Sequence, residues 1–239
     1  MLRLAEIPYL NCYPFYWNRN IRNGKIVWVR ASPKKLGAMA KKKKIDAGPI
    51  SLVDSFLIEK DFEPLGNFGI AVKNLAKSVL LFSKNPIHSL QGHTIGLTSD
   101  SVTSIKLLQF LIKKRYRLKV KYRVGFKDSD DAQIYIGDLA LKKFAEHSKK
   151  LSKRFPYVTD LGEEWQTWKK LPFVFARWMV RKDLPNEEKN LLAKWLNQNI
   201  ITAPNLKNSS QQTYLDGFCY RLGPKELKAI QTFRNLLEN

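Results

Sequence analysis

KSVLLFSK, residues 77 to 84, is an almost uninterrupted apolar segment of strand length, and FVFARWMVRK at residues 173 to 182 is a second one. Because apolar residues follow one another instead of alternating, we expect both segments to be central strands that are buried on both faces. The chain between them is a self-contained α/β unit of about domain size. The sequence therefore predicts two lobes, with the chain crossing between them beside these two strands.

The predicted lobe boundaries follow from the same two strands. We expect residues 1–85 and 173–239 to form one discontinuous α/β lobe and residues 86–172 to form the other. A chain that leaves one lobe and later returns to it leaves a cleft between the lobes. In α/β proteins ligands usually bind in such clefts, at loops that follow strands.

The rest of the chain alternates apolar segments of strand length with segments of helical periodicity, which is typical of an α/β protein. RLAEIPYL (3–10) and KIVWVRA (25–31) predict the first two strands, and SVTSIKLLQFLIKKRY (101–116) predicts a long helix. The tryptophan-containing segment that follows AQIYIGD (132–138) is expected to be mostly loop. The last fifty residues or so are expected to be mainly helical.

The composition is that of a basic globular protein. The chain has 239 residues, 42 Lys and Arg against 21 Asp and Glu, and a formal net charge of +21. The lysines occur in small groups along the whole chain, without a zinc-finger, homeodomain or RRM signature, so we do not expect nucleic-acid binding. We find no apolar run of membrane-spanning length and no secretory signal, which favours a cytoplasmic protein without a membrane segment.

The two cysteines, Cys12 and Cys219, lie near opposite ends of the chain without any paired spacing. Neither a disulfide framework nor a zinc knuckle is predicted, and we expect both thiols to be reduced. Cys12 has no histidine in the same motif. It is therefore expected to be a small buried packing residue, not a nucleophile.

Polar loops follow several of the predicted strands and carry the candidate ligand-binding residues. These are Asn11, Ser51, Ser101, Thr103, Ser104 and Asp138. Hydroxyl groups and free N–H groups at a helix start can bind an anion. Two alternatives stay open at this point: Ser101 or Asp100 is a simple N-cap, and Asp138 caps the helix that follows it.

Six segments, in this order and spacing, resemble the menaquinone biosynthetic chorismate dehydratase family of the futalosine pathway. They are YLNCYPFYW (9–17), IDAGPISLVD (45–54), KSVLLFS (77–83), SVTSIKLL (101–108), IYIGDLAL (134–141) and DLGEEWQTWKKLPFVFARWMVRKD (160–183). The resemblance covers nearly the whole chain. It implies a two-lobed clamp with a type II periplasmic-binding-protein-like fold, in agreement with the lobes inferred above.

The resemblance also implies an activity and two catalytic residues. The family's hydro-lyases remove water from chorismate to give 3-[(1-carboxyvinyl)oxy]benzoate, without a metal or organic cofactor. The residues that match the family's active site are Asn11 and Ser78. A protein base is not required, because the substrate's own enolpyruvyl carboxylate has been proposed to take the proton. The implied partner is this small dianionic substrate, and neither nucleic acid nor a membrane.

The chemistry explains why an asparagine suits such a site. Loss of water aromatises the chorismate ring, so much of the driving force belongs to the substrate and the protein mainly positions it. An amide both donates and accepts hydrogen bonds without adding a charge that competes with a dianion. Aromatic neighbours exclude water, which strengthens those hydrogen bonds.

Four lysines flank the expected hinge: Lys73, Lys77, Lys169 and Lys170. They either strengthen capture of a dianion or belong to the surface of a generally basic protein. Three further functions remain as alternatives: a non-catalytic binder of an acidic metabolite on the same clamp, the related dihydroxynaphthoate synthase activity, and a nucleic-acid binder driven by charge alone. The synthase family begins differently from YLNCYP.

Overall fold

The computed structural model describes residues 1–21, 26–149 and 153–238. Lys25 of the predicted second strand, residues 150–152 and Asn239 lie outside these ranges. The strands are β1 Leu2–Glu6, β2 Ile26–Arg30, β3 Ala47–Ser51, β4 Phe62–Val72, β5 Val79–Ser83, β6 Thr94–Leu97, β7 Lys121–Val124, β8 Ala132–Ile136, β9 Tyr157–Asp160, β10 Phe173–Arg181 and β11 Phe218–Arg221. The helices are α1 Tyr13–Tyr16, α2 Pro33–Lys41, α3 Leu52–Leu57, α4 Thr103–Phe110, α5 Gly137–Lys149, α6 Leu161–Lys169, α7 Asn186–Thr202, α8 Ser209–Leu215 and α9 Pro224–Glu238.

The strands form two separate mixed sheets. The six-stranded sheet has the order β11-β4-β10-β3-β1-β2, and the five-stranded sheet has the order β7-β6-β8-β5-β9. β5 and β10 each lie between two antiparallel neighbours. The prediction that both are central strands is therefore confirmed, and their continuous apolar sequences follow from burial on both faces.

The pairing of β5 bears on one predicted lobe boundary. β5 pairs with β8 and β9 in the five-stranded sheet and not with strands from the first part of the chain. The crossing lies in the connection between Val72 and Val79, before β5 and not after it. We propose that the two lobes correspond to the two sheets, with the first crossing at this connection and the return before β10.

The segment expected to be a loop after β8 contains regular structure instead. α5 begins at Gly137, and the tryptophan-containing segment forms β9 and α6. Leu161 and Trp165 on α6 are fully buried, one helical turn apart. Their i, i+4 spacing is the helical signal, because it places both side chains on one face.

The long helix predicted between residues 101 and 116 is present, but its last part is π-helical instead of α-helical. It runs as α4 and then as a π-helical turn, Leu111–Arg115. The spacing predicts one apolar face with Ile105, Leu108, Leu111 and Ile112; the last three are buried and Ile105 is half-buried.

Two large hydrophobic cores and a smaller one around Phe82 and Tyr135 hold the described elements together. One large core lies along the six-stranded sheet and contains Trp178. The other large core includes Trp165, Phe173 and Phe233, whose rings lie with centroids 5.2 to 5.7 Å apart. Trp165 and Trp178 are both completely buried, so these two large rings serve to pack the cores. Within the described ranges, no helix is long and apolar enough to span a membrane.

We expect Asp131→Asn to lower stability near neutral pH but not in strong acid. The backbone N–H of Thr94, 3.0 Å from the carboxylate, lowers the pKa of Asp131 from 3.8 to about 2, with help from Lys84 and His93. A depressed pKa in the folded state gives stability that is complete above the unfolded pKa and is lost as the pH falls through the folded one. The difference in free energy of unfolding between wild type and variant should therefore shrink between about pH 4 and about pH 2.

Urea unfolding at a series of pH values measures this difference. Asp128→Asn serves as the control, because the Asp128 side chain is fully exposed. A wild-type advantage over Asp131→Asn that stays constant down to about pH 2 would contradict the proposed origin of the stability.

Candidate functional site

A pocket between the two sheets collects most of the predicted site residues, and we call it the central pocket. Asn11, Ser51, Ser78, Ser101, Thr103 and Ser104 all line it, together with Ile7, Tyr9, Cys12, Pro33, Ile70, Val79, Ile136, Gly137, Phe175 and Ala176. Its empty volume is about 510 Å³, a figure that includes space open to solvent. Predicted residues as distant in the sequence as Asn11 and Ser104 thus share one site.

Strand direction explains this convergence. β1 is parallel to its neighbour β3, so the turn with Asn11 and the loop with Ser51 leave the six-stranded sheet at the same edge. Ser101, Thr103 and Ser104 follow β6 in the other sheet, and Ser78 comes immediately before β5. Loops at the carboxyl ends of parallel strands form the usual ligand-binding edge of an α/β sheet.

Asn11 lies on a short 3₁₀ turn, Leu10–Cys12, directly after the first strand. The Cys12 thiol donates a weak hydrogen bond to Asn11 Oδ1 at 3.4 Å, which orients the amide. Within the described part of the chain the Asn11 NH₂ group donates to no protein acceptor. It is therefore a free, neutral donor on the pocket wall.

Cys12 itself is almost completely buried, and burial raises the pKa of its thiol. A thiol that stays protonated is a poor nucleophile. The structure supports the packing role expected for Cys12.

The start of α4 brings three hydroxyl groups to the pocket. Ser101 Oγ accepts from the Ser104 backbone N–H at 3.1 Å and donates to Ser104 Oγ at 3.0 Å. Ser101 therefore makes a capping hydrogen bond to the first turn of α4, one residue before the N-cap position at Val102. Thr103 Oγ1 accepts from the backbone N–H of Val53 on α3 at 3.0 Å. Among the described residues, the hydroxyl protons of Thr103 and Ser104 have no protein acceptor and remain available.

Ser51 is a less available donor. Its hydroxyl donates to Asp54 Oδ2 at 2.7 Å, and the same Asp54 pairs with Lys41 at 2.9 Å. Ser51 also accepts a weak bond from the Asp54 backbone N–H at the start of α3. It lines the central pocket but its proton is already used.

Ser78 is held from three directions at the start of β5. Its hydroxyl donates to the Ala76 carbonyl at 3.2 Å and accepts from the Tyr214 phenol at 2.8 Å. Its main-chain carbonyl accepts from Gly137 N at 2.8 Å. Sequence reasoning missed Tyr214, because nothing in the α8 sequence indicates a contact with a residue 136 positions away.

Comparison with known proteins now identifies the family. A family model described as menaquinone biosynthesis matches residues 2–239. The chain belongs to the menaquinone biosynthesis family. Over 153 residues it is 33% identical to the chorismate dehydratase of Thermus thermophilus. That match covers 57% of this chain and 55% of the relative, so it spans about half of the relative's length.

Solved structures are similar in fold. A protein from Archaeoglobus fulgidus matches with a TM-score of 0.72 at 14% identity, over 99% of this chain and 96% of its own. The alkanesulfonate-binding protein SsuA of Xanthomonas axonopodis pv. citri, bound to MOPS, matches with a TM-score of 0.65 at 12% identity, over 99% and 91% of the two chains. This member of the menaquinone biosynthesis family thus has the type II periplasmic-binding-protein-like fold that its sequence predicts.

Asp138 lies outside the lining of the central pocket and is exposed in the first turn of α5. Its carboxylate accepts from the backbone N–H of Leu10 at 2.9 Å. Asp138 therefore fixes the turn that carries Asn11, and its role in ligand binding stays a prediction.

The four lysines near the hinge lie outside the pocket lining as well. Lys73 and Lys170 are exposed, and the Lys169 ammonium group lies 3.7 Å from the centre of the Trp168 ring. The described lining of the central pocket contains neither a cationic nor an acidic side chain. Among the residues that the structure describes, no three His, Cys, Asp or Glu side chains come together as metal ligands would.

Asp160 is a functional residue that sequence reasoning missed. At the N-cap of α6 it accepts from the backbone N–H groups of Gly162 (2.8 Å) and Glu163 (3.2 Å). It also accepts from Ala76 N (3.0 Å) and Lys77 N (2.6 Å), immediately before Ser78. Burial raises the pKa of Asp160, and these four N–H groups oppose that shift. One buried carboxylate thus joins the start of α6 to the first chain crossing and fixes the backbone just before Ser78.

Proposed function

We propose that this protein is a chorismate dehydratase that forms 3-[(1-carboxyvinyl)oxy]benzoate and one water. The observation that carries the proposal is that Asn11 and Ser78, which match the family's active site, line one small pocket together with the hydroxyl groups of α4. The family assignment and the relative from Thermus thermophilus support the same substrate.

The donors of the central pocket suit a dianion. The Thr103 and Ser104 hydroxyls lie in the first turn of α4, where the helix dipole and free N–H groups favour a carboxylate. The Asn11 amide belongs to the part of the lining that follows β1 of the six-stranded sheet. Two carboxylates held by these separate donors would fix the ring between them, which is the positioning that this reaction needs.

The reaction removes the proton on ring C3 and the hydroxyl group on C4, which together amount to one water. Negative charge develops on the substrate as the proton leaves, and the Asn11 and Ser78 donors stabilise it. Apolar side chains such as Ile7, Ile70 and Phe175 exclude solvent and strengthen these hydrogen bonds. The described lining offers no side chain of ordinary general-base character, which fits proton transfer to the substrate's own enolpyruvyl carboxylate.

Incubation of purified protein with chorismate, followed by mass spectrometry, tests the proposal. The expected product has lost one water relative to chorismate. Isothermal titration with chorismate, under conditions of no turnover, measures binding separately. Binding in the titration together with no conversion in the mass-spectrometric assay would indicate the main alternative, a non-catalytic binder on the same clamp. If the protein neither binds nor converts chorismate, the proposed function is refuted.

Cys12→Ser should retain most of the dehydratase activity. The serine hydroxyl can donate to Asn11 Oδ1 as the thiol does, and the buried thiol takes no part in the chemistry. We expect kcat within about threefold of wild type, since one weak hydrogen bond is replaced by another. A folded but inactive Cys12→Ser protein would show that the sulfur has a chemical role.

A further inference from the structure

The Ser78 hydroxyl accepts a hydrogen bond from a residue in the C-terminal part of the chain. Tyr214 on α8 is only 4% exposed, and its phenol donates to Ser78 Oγ at 2.8 Å. Its ring packs edge-on against Phe218, with centroids 5.0 Å apart. Tyr214 does not line the central pocket, and its hydrogen bond to Ser78 connects it to a residue that does.

This hydrogen bond restricts what the Ser78 hydroxyl can do. Ser78 is 2% exposed, so bulk water does not compete for its lone pairs. Its other hydrogen bond, to the Ala76 carbonyl, is long at 3.2 Å and can be exchanged for a better acceptor. A donor on Oγ fixes the oxygen and strengthens the hydroxyl as a donor, because linked hydrogen bonds polarise one another. Burial also raises the pKa of Tyr214, so the phenol stays protonated near neutral pH.

We propose that Tyr214 is a positioning residue for the reaction: it fixes the Ser78 oxygen so that the Ser78 hydroxyl can turn from the Ala76 carbonyl to the bound substrate. This inference rests on the proposed dehydratase function. It adds a residue that acts from outside the central pocket and that carries no part of the sequence resemblance.

Tyr214→Phe removes only the phenol oxygen and keeps the ring against Phe218. We expect kcat to fall about tenfold with KM changed less than about twofold, because the lost bond matters most when charge develops on the substrate. Tyr220→Phe is the matched control. The Tyr220 hydroxyl is buried nearby without a hydrogen-bond partner in the described structure, so its removal should leave kcat unchanged.

A double-mutant cycle separates positioning through Ser78 from a general structural effect. In a Ser78→Ala background the phenol has no hydroxyl to orient, so adding Tyr214→Phe should not lower kcat further. An equal tenfold fall in both backgrounds would overturn the inference. So would a Tyr214→Phe enzyme with wild-type kcat.

The four proteins of the cycle are wild type, Tyr214→Phe, Ser78→Ala and the double variant. They also distinguish failure of this inference from failure of the proposed function. If wild type does not convert chorismate, the proposed function fails, and titration with chorismate takes the place of kcat in the cycle. Loss of affinity in Tyr214→Phe that disappears in the Ser78→Ala background would still support positioning of the hydroxyl. Additive effects on affinity, or no binding by wild type, would overturn the inference.

Discussion

Asn11→Asp should reduce chorismate turnover more than Asn11→Ala does. Alanine removes the amide donor and leaves space, and loss of one preorganised donor typically costs about a hundredfold or more in kcat. Aspartate keeps the side-chain volume but removes the NH₂ group and adds a negative charge. The described lining of the central pocket has no cation that would neutralise this charge. Two like charges about 4 Å apart repel by about 4 kcal/mol at the effective dielectric constant of a protein surface.

The measurement is kcat and KM for chorismate in the two variants, with circular dichroism to verify folding. Asn18→Asp is the control, because it makes the same charge change outside the pocket lining. The Asn18 side chain accepts from Asn20 N at 2.9 Å, and a carboxylate can accept the same bond. An Asn11→Asp enzyme with substantial activity would require Asn11 to be reassigned.

Asp160→Ala should give the largest loss of stability among single replacements near the site. The change leaves four backbone N–H groups without their acceptor, and those of Ala76 and Gly162 make fully buried bonds. An unsatisfied buried donor costs about 1–3 kcal/mol, so we expect a loss of about 3–5 kcal/mol in the free energy of unfolding. Turnover should fall too, because the backbone before Ser78 loses its anchor.

Asn208→Ala is the matched comparison for this stability measurement. Asn208 is the N-cap of α8 and accepts from Ser210 N and Gln211 N, as Asp160 does on α6, but in an exposed position. Its removal should cost about 1 kcal/mol. Urea unfolding gives the free energy of unfolding of each variant. The difference between the two losses measures the combined contribution of burial and of the bonds from Ala76 N and Lys77 N to Asp160. Equal losses would mean that Asp160 is an ordinary cap.

The central pocket was predictable from sequence to a large extent. Asn11 and the residues Ser101–Ser104 follow predicted strands, and local sequence is enough to identify a strand end. Ser78 was a candidate only through the family resemblance. Ser101 as an N-cap was one of two open alternatives, since a capping serine and an anion-binding serine have the same local sequence. Its hydrogen bonds favour the cap and leave Thr103 and Ser104 as the available donors.

The contacts that lock the site were not predictable in the same way. An apolar strand such as β5 indicates burial but not its neighbours, and its partners β8 and β9 come from residues far along the chain. The bonds from Tyr214 to Ser78 and from Ala76 to Asp160 span 136 and 84 residues. The Asp-Leu-Gly-Glu pattern before an apolar helix face is a local signal that Asp160 caps a helix. No local pattern indicates that Asp160 also accepts from the backbone N–H groups of Ala76 and Lys77.

The neutral lining of the central pocket bears on how quickly product leaves. The product of the proposed reaction keeps both carboxylates of chorismate, so any cation in the pocket would bind both molecules tightly. With only neutral donors within the described lining, the long-range attraction left for a dianion is that of a chain with a formal net charge of +21, which salt screens. Substrate and product should therefore exchange rapidly, and competitive inhibition by product should weaken as ionic strength rises.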